Sequence, residues 1–458
     1  MKLPVRENAA LLTALAILLT LMGAAYWLLD GTAPKAVPQS VLLRTGEQSM
    51  APVLMATPEP RIASTRRVPG PGEVEICGLG IVAAPALNDP QLSKQVEQRQ
   101  AATLVSVQQR LLASANERDR VAGLVMQAAL LPRDDMDRAS DALDQDCGKT
   151  KGGQQDQEKT PACVAAEFEQ EKVRAQHEQR KLPIAQQLVE MAQSTTDPSV
   201  YAQAVRFCHS FFYQPSPPMC GAINLTQWSR LDPANMDPWL WALERAQQQK
   251  DEAGAAEALY QASKASYEKV QVGFVAQQVL NATDETNEVE QTAVLMQVSG
   301  LMYSMGFTPI RAVMTRCSAN EVKNANRRQV CEDVANRLVT QSDTLLDHAM
   351  GIVIGARLGW APERIAALRN EYLTVSEFQT KTMFGFLLVG AAGQSPQGCA
   401  TALRTTRRQL RLMTELGEVG AARQLLLESG PSGQQGRQEN VQRHAQQQVQ
   451  AAASAVRR

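Results

Sequence analysis

Eight cysteines constrain this chain more than any other feature. They stand at Cys77, Cys147, Cys163, Cys208, Cys220, Cys317, Cys331 and Cys399. Eight cysteines allow about 105 pairings. Six of them fall into three local couples: Cys147 with Cys163, Cys208 with Cys220, and Cys317 with Cys331. Each short loop closed this way contributes roughly 3 kcal/mol if chain entropy is the mechanism. Cys77 and Cys399 are left by elimination, and their bridge would tie the two ends of the folded body. None of the eight sits in CxxC spacing and the chain has 4 histidines, which argues against a structural zinc site. The competing reading is eight buried thiols in a reducing compartment.

The compartment is set by Ala9–Leu29, AALLTALAILLTLMGAAYWLL, a run without a charge. About 20 apolar residues suffice to cross a bilayer core as a helix. Tyr26 and Trp27 lie at its distal end, where aromatic rings favour the interface. A cleaved signal peptide is the rival, with Gly23 and Ala25 as the small residues before a cut. That cut would leave the apolar run continuing through Tyr26-Trp27-Leu28-Leu29. Lys2 and Arg6 on the short leading side put the N-terminus in the cytoplasm by the positive-inside rule, although Lys35 and Arg44 keep the bias slight. The expected layout is a cytoplasmic tail at 1–8, a transmembrane anchor at 9–29, a proline-rich linker at 30–72, a helical extracytoplasmic domain at 73–429 and a Gln/Ala-rich tail at 430–458.

Pro34, Pro38, Pro52, Pro58, Pro60, Pro69 and Pro71 interrupt the linker too often for a helix or a central strand. Val74–Val82 reads as one short extended segment carrying Cys77. From Asp89 onward the period is helical. Asp89-Pro90 supplies an N-cap acceptor and a proline for the first turn. The same pair recurs at Asp197-Pro198, Asp232-Pro233 and Asp237-Pro238. Apolar stripes at helical spacing run through Val121, Leu124, Val125, Ala128 and Ala129, through Tyr201, Ala204, Val205 and Cys208, and through Val330, Cys331, Val334, Ala335 and Leu338. Gly148–Thr160 reads as an exposed loop, and Phe384–Ala392 is too short to span a membrane.

Residues 228–268 read WSRLDPANMDPWLWALERAQQQKDEAGAAEALYQASKASYE. Pro233 stands six residues before the bulky Trp239, and Ala255, Leu259 and Ala262 alternate small, large and small. This stretch resembles a tetratricopeptide-type helical hairpin, with Leu243 where that family has glycine and Ala246 where it has tyrosine. The resemblance implies stacked neighbouring hairpins and a concave protein-binding surface rather than a reaction.

The catalytic and metal motifs fall short. Gly148-Lys149-Thr150 lacks the earlier glycine of a phosphate-binding loop, since Leu143 stands there. Asp135/Asp137 and Asp144/Asp146 have the two-carboxylate spacing of some sugar transferases, but those enzymes need a sheet-based fold. Cys208 and His209 are adjacent and so point about 100° apart on a helix, which spoils a nucleophile pair. His348, following Asp343 and Asp347, reads as a helix-surface residue ahead of a ligand or base. Arg404, Arg407, Arg408 and Arg411 form a basic stripe, read first as a solvated face.

The chain has 458 residues and a formal net charge of -1, so no global field argues for nucleic acid. The fold class expected is all-α: a transmembrane helix followed by an irregular α-solenoid of helical hairpins with disulfides. The expected function is protein interaction, as a scaffold or accessory subunit of a bacterial envelope assembly at the inner membrane, with other envelope proteins as partners and no cofactor or metal. Trp228, Trp239 and Trp241 are the candidate partner residues, with Trp241 foremost and Trp239 packing inside the hairpin. The alternative is an enzyme acting on envelope polymers or glycans, with catalytic carboxylates among unremarkable acids.

Overall fold

The computed structural model describes residues 69–83, 89–132, 134–147, 160–210, 217–304, 309–376 and 398–428. The anchor at 9–29, nearly all of the linker, most of the 148–160 loop, Phe384–Ala392 and the 430–458 tail lie outside them. Among the described residues, no helix is long and apolar enough to cross a membrane.

The extended segment is a hairpin. Strand β1 (Glu73–Ile76) pairs antiparallel with β2 (Gly80–Ala83), placing Glu73 opposite Ala83 and Ile76 opposite Gly80. Between them Gly78 takes φ +80°, a left-handed conformation that glycine adopts freely. Its N–H donates to Glu288 Oε1 at 3.0 Å, pinning the turn to a helix more than 200 residues away.

The remaining described elements are helical. In chain order they are α1 (Pro90–Leu112), α2 (Glu117–Ala129), α3 (Asp134–Asp146), α4 (Pro161–Ser194), α5 (Pro198–Ser210), α6 (Leu225–Leu231), α7 (Asp237–Gln248) and α8 (Glu252–Lys264). Then follow α9 (Phe274–Asn281), α10 (Glu288–Ser304), α11 (Ile310–Arg316), α12 (Ala325–Gln341), α13 (Leu345–Leu358), α14 (362–376) and α15 (Cys399–Glu428). Local sequence explains several starts. Asp89 Oδ1 caps α1 by accepting from Gln91 N–H at 2.9 Å, and Asp197 Oδ1 does the same for Ser199 N–H at the head of α5. Asp232-Pro233 behaves otherwise. Asp232 closes α6, and its carboxylate accepts from Tyr267 Oη at 2.6 Å and Asn235 Nδ2 at 3.0 Å, so it builds a turn.

Two large apolar cores fill the body, and a smaller third one packs Ile365 and Tyr372 of α14 against Val339 of α12 and Ala349 and Ile352 of α13. The first joins α1, α2, the later half of α4, α5, α6, α9, α10 and the start of α15 around Val107, Val121, Val205, Phe207, Trp228 and Leu295. The second joins α7, α8, α11, α12 and α13 around Leu240, Leu243, Leu259, Cys331, Leu338 and Ile354. All three expected stripes face them, fully buried except for Ala129 and Val330, which are half-buried at the margins. Helices α7 and α8 form a hairpin, α8 lies on α12 and α12 on α13. Ala242 of α7 touches both cores, so this helix is the seam between them.

All eight cysteines are paired, as the spacing suggested. Cys147–Cys163 joins the ends of α3 and α4, Cys208–Cys220 ties α5 to a 3-10 turn at Pro218–Ala222, and Cys317–Cys331 ties α11 to α12. Cys77–Cys399, with Cα atoms 5.2 Å apart, fastens the β-hairpin to the head of α15 across 322 positions. There Glu75 Oε2 also accepts from Cys399 N–H at 2.9 Å.

Candidate functional site

The three tryptophans separate in the fold. Trp228 is 0% exposed inside the first core, which removes it from any partner surface. Leu225 and Ser229 of its helix α6 are buried with it. Trp239 is half-buried against the second core, inside the hairpin region as expected. Trp241, two residues on, faces the other way and is half-buried against the first core.

Trp241 lines a groove of about 610 Å³. Its ring lies 4.8 Å from the exposed His209 imidazole, centroid to centroid, at a 39° tilt. The Cys208–Cys220 bridge, Ile223 and Ile310 supply apolar wall, while Glu244, Arg245 and Arg311 supply charge. Desolvation, and then the positive charge of Arg245, hold His209 below the usual histidine range. It is therefore neutral at pH 7. With Cys208 locked in a disulfide, His209 has no thiol to activate, and the groove offers contact area rather than a nucleophile.

A second constellation lies within the seam. The segment after α8 runs between two others: Met236 N–H donates to Tyr267 O at 2.8 Å, and Glu268 N–H donates to Gln341 O at 3.2 Å. Asn235, fully buried, stitches one side by accepting from Lys269 N–H at 3.0 Å and donating to Lys269 O at 3.1 Å. This threading brings Glu268 beside Asp343 and Asp347, with one carboxylate oxygen from each within 4.8 Å of the others. Arg206 of α5 pairs through Nη2 with Asp237 Oδ2 at the head of α7, and both side chains are essentially inaccessible. Asp343 accepts from Val270 N–H at 3.0 Å and Gln271 N–H at 3.1 Å, one on each oxygen. Asp347 accepts from Thr344 Oγ1, whose hydroxyl in turn caps the start of α13.

Helix α15 kinks to meet this cluster. Gly417 takes φ +72° and ψ 177°, and a Cβ there would sit 2.5 Å from Asp343 Cβ. The kink delivers Glu418, whose N–H donates to Asp343 O at 2.6 Å and whose Oε2 accepts from Leu345 N–H at 2.7 Å.

Burial dominates the electrostatics. It pushes the Asp237 carboxyl up to about 6, Arg206 pulling the other way and Asp343 adding to the rise. The Trp241 indole N–H, one turn along α7, faces the same carboxylate and lowers it slightly without closing a hydrogen bond. Glu268 is driven well above the carboxylate range by burial, then by the charges of Asp347, Asp343 and Asp237. Asp343 is raised too, chiefly by burial, against its two backbone N–H donors.

Sequence reasoning reached this site only through Asp343 and Asp347, as neighbours of His348. That histidine is buried on α13, 1% exposed, rather than on a helix surface, because α13 is covered along most of its length. Its electrostatic partners include Glu371 and Arg423, outside the carboxylate group. Arg206 was missed. The signal was two polar residues, Gln203 and Arg206, inside the otherwise apolar run from Val200 to Cys208. No protein-family model, no curated protein and no solved structure matches the chain.

Proposed function

We propose that this chain is a membrane-anchored extracytoplasmic interaction protein, a scaffold or accessory subunit of a bacterial envelope assembly. The groove around Trp241 is its partner-binding surface. Four disulfides that use every cysteine carry the compartment, because such pairing persists outside the reducing cytosol. The uncharged run at Ala9–Leu29 is the matching anchor, with the helical body on the far side of the membrane. At the groove, a large aromatic ring is half-covered, backed by a rigid core and rimmed by arginines, the residue types that dominate interface energetics. The resemblance of residues 228–268 to a tetratricopeptide-type hairpin supports the same reading, since α8 and α12 stack as neighbouring hairpins would.

The experiment is site-specific photocrosslinking in cells, with the crosslinker at position 241 or 311 and a control at Phe168, which is 73% exposed on α4. Crosslinks to one envelope protein from 241 and 311, abolished for a Trp241→Ala reporter carrying the crosslinker at 311, support the assignment. Crosslinking from 168 alone removes it.

A further inference from the structure

We propose that the Trp241 groove takes an acidic segment of its partner, whose carboxylates pair with Arg245 and Arg311 while an apolar residue packs on the Trp241 ring. This inference rests on the groove being the partner-binding surface, and it names the chemistry of what enters.

The first observation is unanswered charge. Arg245 stands on α7 and Arg311 on α11, two helices that pack together, and both arginines are exposed and line the groove. Neither has a carboxylate or carbonyl partner among the described residues. Elsewhere the fold answers its exposed arginines: Arg118 holds Asp197, Arg408 holds Glu428 and Arg411 shares Glu285. Glu244 is the one acid among the described residues lining the groove, and its Oε1 already accepts from Gln248 Nε2 at 3.0 Å. With His209 neutral at pH 7, two guanidinium groups against one carboxylate leave the groove positive.

The second observation is that the charge borders a fixed apolar wall. Ile223 is buried beneath the groove, and the Cys208–Cys220 bridge with Pro217 and Pro218 holds that side of it. A wall already rigid loses little entropy when it is covered. The planar fork of arginine engages a carboxylate through two parallel N–H donors, so two such groups favour acids over polar neutral side chains. A small free anion would meet the arginines and leave the Trp241 ring uncovered. A chain segment carrying acids beside a bulky apolar residue covers both, and a groove of about 610 Å³ accommodates several side chains.

The test is photocrosslinking in cells from Gln248, an exposed residue of the groove, in the full-length chain, with the crosslinked peptide sequenced by mass spectrometry. The expected product is a segment of one other protein with net negative charge and a bulky apolar residue. Reversing both charges, Arg245→Glu with Arg311→Glu, should lower the crosslinked fraction at least about 10-fold, since each arginine–carboxylate pair is a charge-assisted bond. Arg245→Lys with Arg311→Lys keeps the charge and should lose less. Arg230→Glu, at an exposed arginine of α6 that does not line the groove, should change nothing. Circular dichroism checks the fold of each variant, and the sequenced wild-type segment decides even where a reversal fails to fold. A neutral or basic segment, or a folded double reversal that crosslinks like wild type, overturns the inference. If Trp241→Ala still abolishes that crosslink, the groove stands as the partner-binding surface without the acidic preference. A crosslink to a second copy of this chain, or none from positions 241, 248 and 311, overturns both readings.

Discussion

Two concentrations of charge in this molecule behave in opposite ways. The arginine stripe on α15 reads in sequence as a solvated face, and the fold keeps Arg408 and Arg411 largely accessible while giving the stripe protein partners. Arg407 donates to Leu280 O at 2.7 Å and pairs with Glu285, Arg411 shares Glu285 at 2.7 Å, and Arg408 pairs with Glu428 at 2.6 Å. The seam cluster is the reverse. Its acids look ordinary in sequence, yet Glu268, Asp343 and Asp347 converge there, and Asp237 is paired with Arg206 out of reach of water. Charges spaced along one helix announce themselves and are readily answered at a surface. Charges brought from separate segments are silent until the chain folds, and there the balance has to be found inside the protein.

The sharpest way to break this contrast is to remove the arginine of the seam. Arg206→Met should cost about 3–5 kcal/mol of unfolding free energy at pH 7.5, the range for stranding a buried charge. The variant is read by urea denaturation. The loss should shrink at pH 5, because a protonated Asp237 no longer needs its partner. Wild type should also gain stability over that interval. Asp237 and Glu268 have folded-state pKa values above their unfolded values, so the folded form binds protons more tightly. That contribution is complete below the unfolded pKa near 4 and disappears as pH rises through the folded one, about 6 for Asp237. Asp237 alone accounts for on the order of 2–3 kcal/mol. A loss independent of pH would mean that Arg206 acts by packing alone.

The same contrast explains what could be read from the sequence. The four disulfide pairings were legible because three are local in sequence and only one pair then remains. The helical stripes through Tyr201–Cys208 and Cys331–Leu338 were legible because they lie within single helices, where periodicity fixes burial. The seam was not, since Arg206, Asp237, Glu268 and Asp343 come from four separate segments. Asp232-Pro233 misled because a cap acceptor before proline is also a turn signal, and contacts to Tyr267 and Asn235 decided between them. Trp228 misled because aromatic character does not distinguish a core anchor from an interface anchor.

A smaller effect separates the cluster's geometry from its charge. Gly417→Ala adds one methyl group and no charge, at a backbone conformation that side chains rarely adopt and against Asp343. It should destabilise by roughly 1–3 kcal/mol at both pH values. Gly300→Ala is the control. That glycine is exposed in α10 with nothing near its Cβ position, so the change should add about 0.5–1 kcal/mol. If Gly417→Ala proves neutral, the kink does not hold Asp343 in place.

The smallest effect belongs to the stripe. Arg408→Ala removes an exposed partner of Glu428, with the arginine side chain 60% accessible. Such a pair gains little in water, loses side-chain entropy and is screened by salt, so the change should stay below about 0.5 kcal/mol and vanish at high ionic strength. Arg411→Ala should behave alike, because Arg407 still holds Glu285. Arg206 is 1% accessible and Arg408 60%, and each pairs with a single carboxylate among the described residues. A salt-insensitive loss of several kcal/mol at Arg408 would therefore mean that burial is not what distinguishes the two regions.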